Sequence, residues 1–388
     1  MVNPDGPLPQ LLDAVTRGAV PGAVALAVDR GGTLFEIAAG RRDLSGDVAM
    51  TTDTLFWIAS MTKAIVSVAA MQLVEQGRLH LDAPIGTLLP ALAAPQVLEG
   101  FDAAGAPLLR PARTAITLRQ LLSHTAGYGY TIWSADLLRY VRQAGLSPIP
   151  ANWDEVARTP LLFDPGTRWT YGTGVDMAGL AIEAASGESL ADYLAGHVLG
   201  PLGMAETGFT LTPGQRARLA RVHARMPDGG LRPIDWAVGN GQGFTGGGGE
   251  LCGTARDYGR FLRMLLNGGA LDGVRVLRAD TVAGMGRNQI GDLAVTRLVS
   301  AAPKLARDVD LFPGMALKWG LGFLLTPAAG PHGRSAGSLT WGGLANCYYW
   351  IDPGRGVAGC LLTQILPFAD APALELFGAV ERAAYGGL

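Results

Sequence analysis

The apolar and polar positions divide the chain into three stretches of different character. Gly22–Asp29 and residues 33–39 are β-branched or apolar runs split by Arg30-Gly31-Gly32, which predicts a hairpin. Residues 57–76 are almost unbroken apolar sequence rich in helix formers, with Gly77 as a C-terminal stop. A helix apolar on all sides is a buried central helix. From about 88 to 300 the pattern changes to short helical patches broken by Gly and Pro: 118–123, 175–186, 190–199 and 255–266. Strand-like runs return at 319–326, 337–341, Cys347–Asp352 and 357–363, and 371–384 closes the chain as a helix.

The order β-β-α, helical insert, β-β-β, α predicts an α+β fold. Strands from both ends of the chain share one antiparallel β-sheet flanked by helices, with an inserted helical domain. The expected division is 1–87 with 301–388 as a discontinuous sheet domain and 88–300 as a mainly helical one, with the active site at their interface. At 388 residues the chain exceeds one ordinary domain.

Composition narrows the function. Hydrophobic residues at 48% exclude disorder, and a net charge of −2 without a basic run leaves no footprint for nucleic acid. Cys252, Cys347 and Cys360 are too few and too scattered for a disulfide framework, and the five histidines show no metal-ligand spacing. No metal or cofactor is expected. The first nine residues have no signal-peptide pattern and no run of 18 apolar residues occurs, so a cytoplasmic protein that does not enter the membrane is expected.

The sharpest anomaly lies in the central helix. Lys63 is the one charged residue between Trp57 and Val74. Burying an ammonium is costly, and a lysine so placed can serve as a proton acceptor. One turn earlier on the same face stands Ser60, at the helix start, where free N–H groups and the helix dipole favour an oxyanion. The competing reading makes Ser60 an N-cap and lets Lys63 reach solvent.

Phe56 through Lys63, with Ser60-Met61-Thr62-Lys63 as an S-x-x-K motif, resembles the serine β-lactamase and penicillin-binding-protein superfamily, most of all its class C branch. The resemblance continues through Gly77–Ile85, Ile116–Gly127, Phe163–Gly166 with Trp169-Thr170-Tyr171, 199–204 and Trp341-Gly342-Gly343, and so covers nearly the whole chain in order. It implies a β-lactamase/transpeptidase-like fold, with Ser60 as nucleophile and Lys63 with Tyr171 as its general base. The Y-x-N motif is altered, Thr173 standing where Asn is usual. Asp176, five residues beyond Tyr171, reads as a helix-start residue. At the K-T-G position stands Trp341-Gly342-Gly343-Leu344. The backbone of that segment could still complete an oxyanion hole from the N–H groups of Ser60 and Leu344. The cation that would hold a β-lactam carboxylate is gone. This pattern is similar to family VIII carboxylesterases and implies hydrolysis of a small-molecule ester through an acyl-enzyme. Trp341, Gly343 and Tyr128 are the expected substrate-binding residues. Alternatives with the same Ser-Lys-Tyr set are β-lactamase, D-amino peptidase or amide hydrolase, and acyltransferase.

Two other motifs carry less. Gly333-Arg334-Ser335-Ala336-Gly337 spells G-x-S-x-G, but no His follows it in the chain. Residues 241–246 match G-x-G-x-x-G and run straight into more glycines, which reads as a flexible loop near the cleft and not as a dinucleotide site.

Overall fold

The computed structural model describes residues 7–148, 152–238 and 245–386. Gly241–Phe244 of the glycine-rich motif and the first six residues of the N-terminal segment lie outside these.

A seven-stranded sheet forms the centre. Helix α1 (Pro7–Thr16) leads into β1 (Gly22–Asp29) and β2 (Thr33–Gly40). Helices α2 (Thr62–Glu75), α3 (Leu118–Leu122), α4 (Gly174–Ser186) and α5 (Ala255–Leu266) follow. Then come β3 (Lys318–Trp319), β4 (Leu324–Thr326), β5 (Ser338–Gly343), β6 (Cys347–Asp352), β7 (Val357–Leu362) and α6 (Ala371–Gly386). The sheet order is β3-β4-β5-β6-β7-β1-β2, antiparallel throughout. Strands from the two ends of the chain meet at β1 and β7, with Leu26 opposite Cys360.

β5, β6 and β7 are buried along their whole length and β1 nearly so, which requires cover on both faces of the sheet. α1 and α6 pack on β1, with α1 also against β2 and α6 against β7. α5 lies against β1, β6 and β7, and a side chain at Gly259 would collide with Leu26. α5 thus sits on the sheet although its sequence lies inside the long insert. α2 is buried from Thr62 to Leu73 and packs on α4, while the turn at 59–61 that leads into it packs on β5. Among the described residues no helix is long and apolar enough to cross a membrane.

Two predicted elements break where backbone geometry demands it. The apolar run from 57 is not helical at its start. Phe56–Trp57 pairs as a short strand with Cys252–Gly253, and a tight 3-10 turn, Ala59–Met61, precedes α2. The reason is tethering to the 249–253 segment: the Trp57 indole donates to the Gly249 carbonyl (2.7 Å) and the Ile58 N–H to Leu251 (3.0 Å). The run 319–326 splits into β3 and β4 at Gly322, whose φ of +91° suits glycine and whose missing side chain leaves room for Ser67.

Candidate active site

The 3-10 turn sets the geometry around Ser60. Ala59, the residue before it, is held at φ +45°, a left-handed conformation that an L-residue adopts only under constraint. The constraint is β5. A Cβ on Gly343 would stand 2.3 Å from the Ile58 carbonyl oxygen, so the strand backbone presses directly on the turn. Gly343 is therefore a packing glycine. It does not line the cavity, which corrects the expectation that it contacts substrate.

β5 is third from the sheet edge, yet it is locally free at the site. β4 stops pairing at Thr340, so among the described residues Trp341-Gly342-Gly343 has no paired strand on that flank. The Ser60 hydroxyl, Trp341, Gly342 and Leu344 border one cavity of about 440 Å³. Leu344 lies just beyond the end of β5, and among the described residues neither its amide nor that of Ser60 has an acceptor.

Lys63 is 1% exposed, so it does not reach solvent. Its ammonium donates to the Gly248 carbonyl (2.6 Å), the Tyr130 hydroxyl (3.0 Å) and Ser60 Oγ (3.2 Å). These three acceptors answer how a charge is kept in an apolar helix. Asp176 stands behind them. Its carboxylate accepts from the Gly248 N–H (2.9 Å) and the Tyr130 hydroxyl (3.4 Å). Burial raises its pKa, and the Lys63 charge opposes that. Asp176 does lie in the first turn of α4, but it is a buried part of the lysine's surroundings and not merely a helix-start residue.

Tyr171 is placed differently from the expectation. Its hydroxyl accepts from the Trp341 indole (2.9 Å), and Lys63 sits over its ring, 4.9 Å from the centroid. The hydroxyl hydrogen-bonded to Lys63 belongs to Tyr130. Two phenols therefore flank the ammonium, one by its oxygen and one by its face. Tyr128, expected in the pocket, is instead buried in the core. Its backbone carbonyl forms the shelf for the Tyr171 loop, since a Cβ on Gly172 would come within 1.9 Å of it. Tyr130, two residues on, lines the cavity. A tyrosine beyond Gly127 was legible in the sequence; which of the pair faces inward depends on that contact. His124 accepts from the Gly172 N–H (3.4 Å) and packs its ring against Tyr171 at a tilt of 57°, while burial pushes its imidazole pKa well down. Thr173 also lines the cavity, with its hydroxyl unpartnered among the described residues.

Ser335 of the G-x-S-x-G motif lies elsewhere. Its hydroxyl donates to Asp352 and its N–H does the same (2.8 Å), which ties the 352–356 turn to the preceding loop.

A phenol-flanked lysine beside a helix-start serine, under a strand of an antiparallel sheet, is the arrangement of a serine acyl-transfer fold. The family model described as Beta-lactamase matches residues 9–381, and the chain belongs to that family. It is 33% identical to monacolin J acid methylbutanoyltransferase of Aspergillus terreus, over 96% of this chain and 93% of that protein. It is 32% identical to lovastatin esterase of Penicillium rubens, over 91% of each. Among solved structures, unliganded simvastatin synthase (LovD) from Aspergillus terreus superposes with a TM-score of 0.83 at 30% identity, covering 98% of this chain and 97% of that one. EstCE1, a hydrolase with promiscuous acyltransferase activity, shares the fold at a TM-score of 0.76 and 23% identity, covering 98% of this chain and 97% of that one.

The two tyrosines make a testable pair. Tyr130→Phe removes a hydrogen bond to the ammonium and one to Asp176. Tyr171→Phe removes only the phenol that the Trp341 indole holds. If Tyr171 carries the proton, Tyr171→Phe lowers kcat by about 10²–10⁴-fold and Tyr130→Phe by about tenfold, the size of one lost positioning hydrogen bond. Single-turnover acylation rates of both variants check this order, and the reverse order transfers the role to Tyr130.

Proposed function

We propose that this protein is a serine esterase acting on small carboxylic esters through an acyl-enzyme on Ser60. The observation that carries the reading is the buried Lys63 ammonium 3.2 Å from the Oγ of Ser60, which lines a mainly apolar cavity. In this reading Ser60 attacks the ester carbonyl, and Lys63 with Tyr171 accepts its proton and passes it to the leaving alcohol. The same pair then activates water for deacylation. The amides of Ser60 and Leu344 stabilise the oxyanion. Trp341 orients Tyr171 and forms part of the pocket wall. No step calls for a cofactor. A cytoplasmic location belongs to this reading, supported by three buried free cysteines, of which Cys252 and Cys347 have thiols pushed up to about 12 by burial.

A second outcome, transfer of the acyl group to an alcohol, is favoured by one observation. The cavity is lined largely by apolar and aromatic side chains and has room for an acceptor beside the acyl group. A panel of p-nitrophenyl esters beside a chromogenic cephalosporin tests both outcomes. Ester kcat/KM should exceed cephalosporin kcat/KM by at least about 10²-fold, since the cavity offers the lactam carboxylate no cation. An added alcohol that diverts most of the acyl group from water would establish transfer. Cephalosporin turnover above ester turnover would overturn the proposal.

A further inference from the structure

The cavity beside Ser60 carries an unusual charge pattern. Of the described residues that line it, Asp176 and Glu250 are acidic and none is Lys, Arg or His. Asp176 is engaged by Gly248 and Tyr130. Lys63 is engaged by its three acceptors behind the cavity wall. Glu250 is different. Its carboxyl has no hydrogen bond or ion pair among the described residues, and it is only partly exposed.

Its backbone is nonetheless held firmly. The Gly249 carbonyl before it accepts from the Trp57 indole at 2.7 Å. After it, the Leu251 N–H donates to Thr62 Oγ1 at 3.2 Å and the Leu251 carbonyl accepts from Ile58 at 3.0 Å. Burial pushes the Glu250 carboxyl up to about 7, with the Asp176 charge adding to this and Lys63 opposing it. A free carboxyl kept in a confined apolar wall at such cost has room for a positive partner.

A second feature of the wall agrees. Trp57 and Trp236 both line the cavity, with ring centroids 5.8 Å apart and planes tilted by 33°. Trp57 is tied by its indole to the Gly249 carbonyl, next in the chain to Glu250, and both indoles and Glu250 line the same cavity. Indole faces beside an anion are the physical recipe for binding an alkylated ammonium, which is attracted to the ring quadrupole and cheap to desolvate.

We infer that Glu250, with Trp57 and Trp236, forms a specificity subsite for an alkylammonium group, and that the preferred substrates are esters carrying such a cation. This rests on the esterase reading above and names its substrate class. Carboxylate-bearing esters meet Glu250 as a like charge and are disfavoured.

Three p-nitrophenyl esters with acyl chains of equal length test this at pH 8: one ending in trimethylammonium, one in its neutral tert-butyl isostere, one in carboxylate. The wild type should prefer the ammonium ester to the neutral one by at least tenfold in kcat/KM and turn over the carboxylate ester least. In Glu250→Gln the ammonium-to-neutral ratio should fall to about one, and in Glu250→Lys the carboxylate ester should become the better of the two charged substrates. An unchanged ratio in Glu250→Gln overturns the subsite, and labelling of Ser60 by a phosphonate in the same preparation shows that the variant is folded. If no ester is turned over, the esterase reading fails by itself. The subsite is then judged by quenching of tryptophan fluorescence in Ser60→Ala, where tetramethylammonium must bind at least tenfold tighter than neopentyl alcohol and lose that advantage in the Glu250→Gln background; equal binding overturns it.

Discussion

Ser60→Ala should abolish covalent labelling by an active-site phosphonate and lower ester kcat/KM by more than about 10³-fold, while leaving the fold intact. The two halves of this expectation have separate physical grounds. Ser60 is partly exposed, and among the described residues its hydroxyl is bonded to Lys63 alone, which keeps two other acceptors. The stability change should therefore stay within about 1 kcal/mol. The loss of activity is large because no other hydroxyl stands at the same point. The Thr173 hydroxyl also borders the cavity, but neither Lys63 nor a phenol is bonded to it. Ser335→Ala is the matched control with the opposite profile. Ser335 bonds to the fully buried Asp352, so its loss should cost about 1–3 kcal/mol of stability and leave turnover alone. Urea denaturation and mass spectrometry of the labelled peptide measure both properties in one set of samples. Label found on a peptide other than that of Ser60 would reassign the nucleophile.

The comparison of Ser335 with Ser60 also shows why one motif was legible in the sequence and the other was not decisive. A lone lysine in an apolar helix is an energetic anomaly that composition alone exposes, and the buried Lys63 beside Ser60 bears it out. The sheet was equally legible, because alternation and turn residues at both ends of the chain define strands whichever partner they find. The failures share a different cause. Gly343 and Tyr128 sit next to functional residues in sequence, but their placement depends on backbone-to-backbone approach, to Ile58 in one case and by Gly172 in the other. Tyr130 and Gly248 bond to Lys63 across 67 and 185 residues of chain, and Asp176 stands behind both. For these residues no local pattern distinguishes a helix-start acid or a loop tyrosine from a group packed against the ammonium. Two of them left a trace in the sequence: Tyr130 as one of the pair beyond Gly127, and Asp176 as an acid five residues after the motif tyrosine at the head of an apolar helix. Its burial is a tertiary fact.

Lys63→Met tests that tertiary network, and its two expected effects diverge with pH. Methionine fills similar volume in the apolar helix but removes the only cation among Ser60, Tyr130 and Gly248. Ester acylation should fall by about 10²–10⁴-fold at every pH if the Lys63–Tyr171 pair takes the Ser60 proton as proposed. Stability should behave otherwise. Asp176 is buried with its pKa already raised by desolvation, and Lys63 is the charge that restrains the rise. Without it the carboxyl is pushed higher still. A carboxyl whose folded pKa lies above its unfolded one contributes stability that is complete below the unfolded value and is lost as pH rises through the folded value. The variant should therefore lie close to the wild type in stability near pH 4 and fall below it by about 1–3 kcal/mol at pH 8. Adding Asp176→Asn should remove that difference, because the amide carries no charge to desolvate, yet restore no activity. Urea midpoints of the single and double variants at the two pH values form the cycle that isolates the coupling. A Lys63→Met protein equally stable at both pH values would mean that the Asp176 charge is compensated by something other than the lysine.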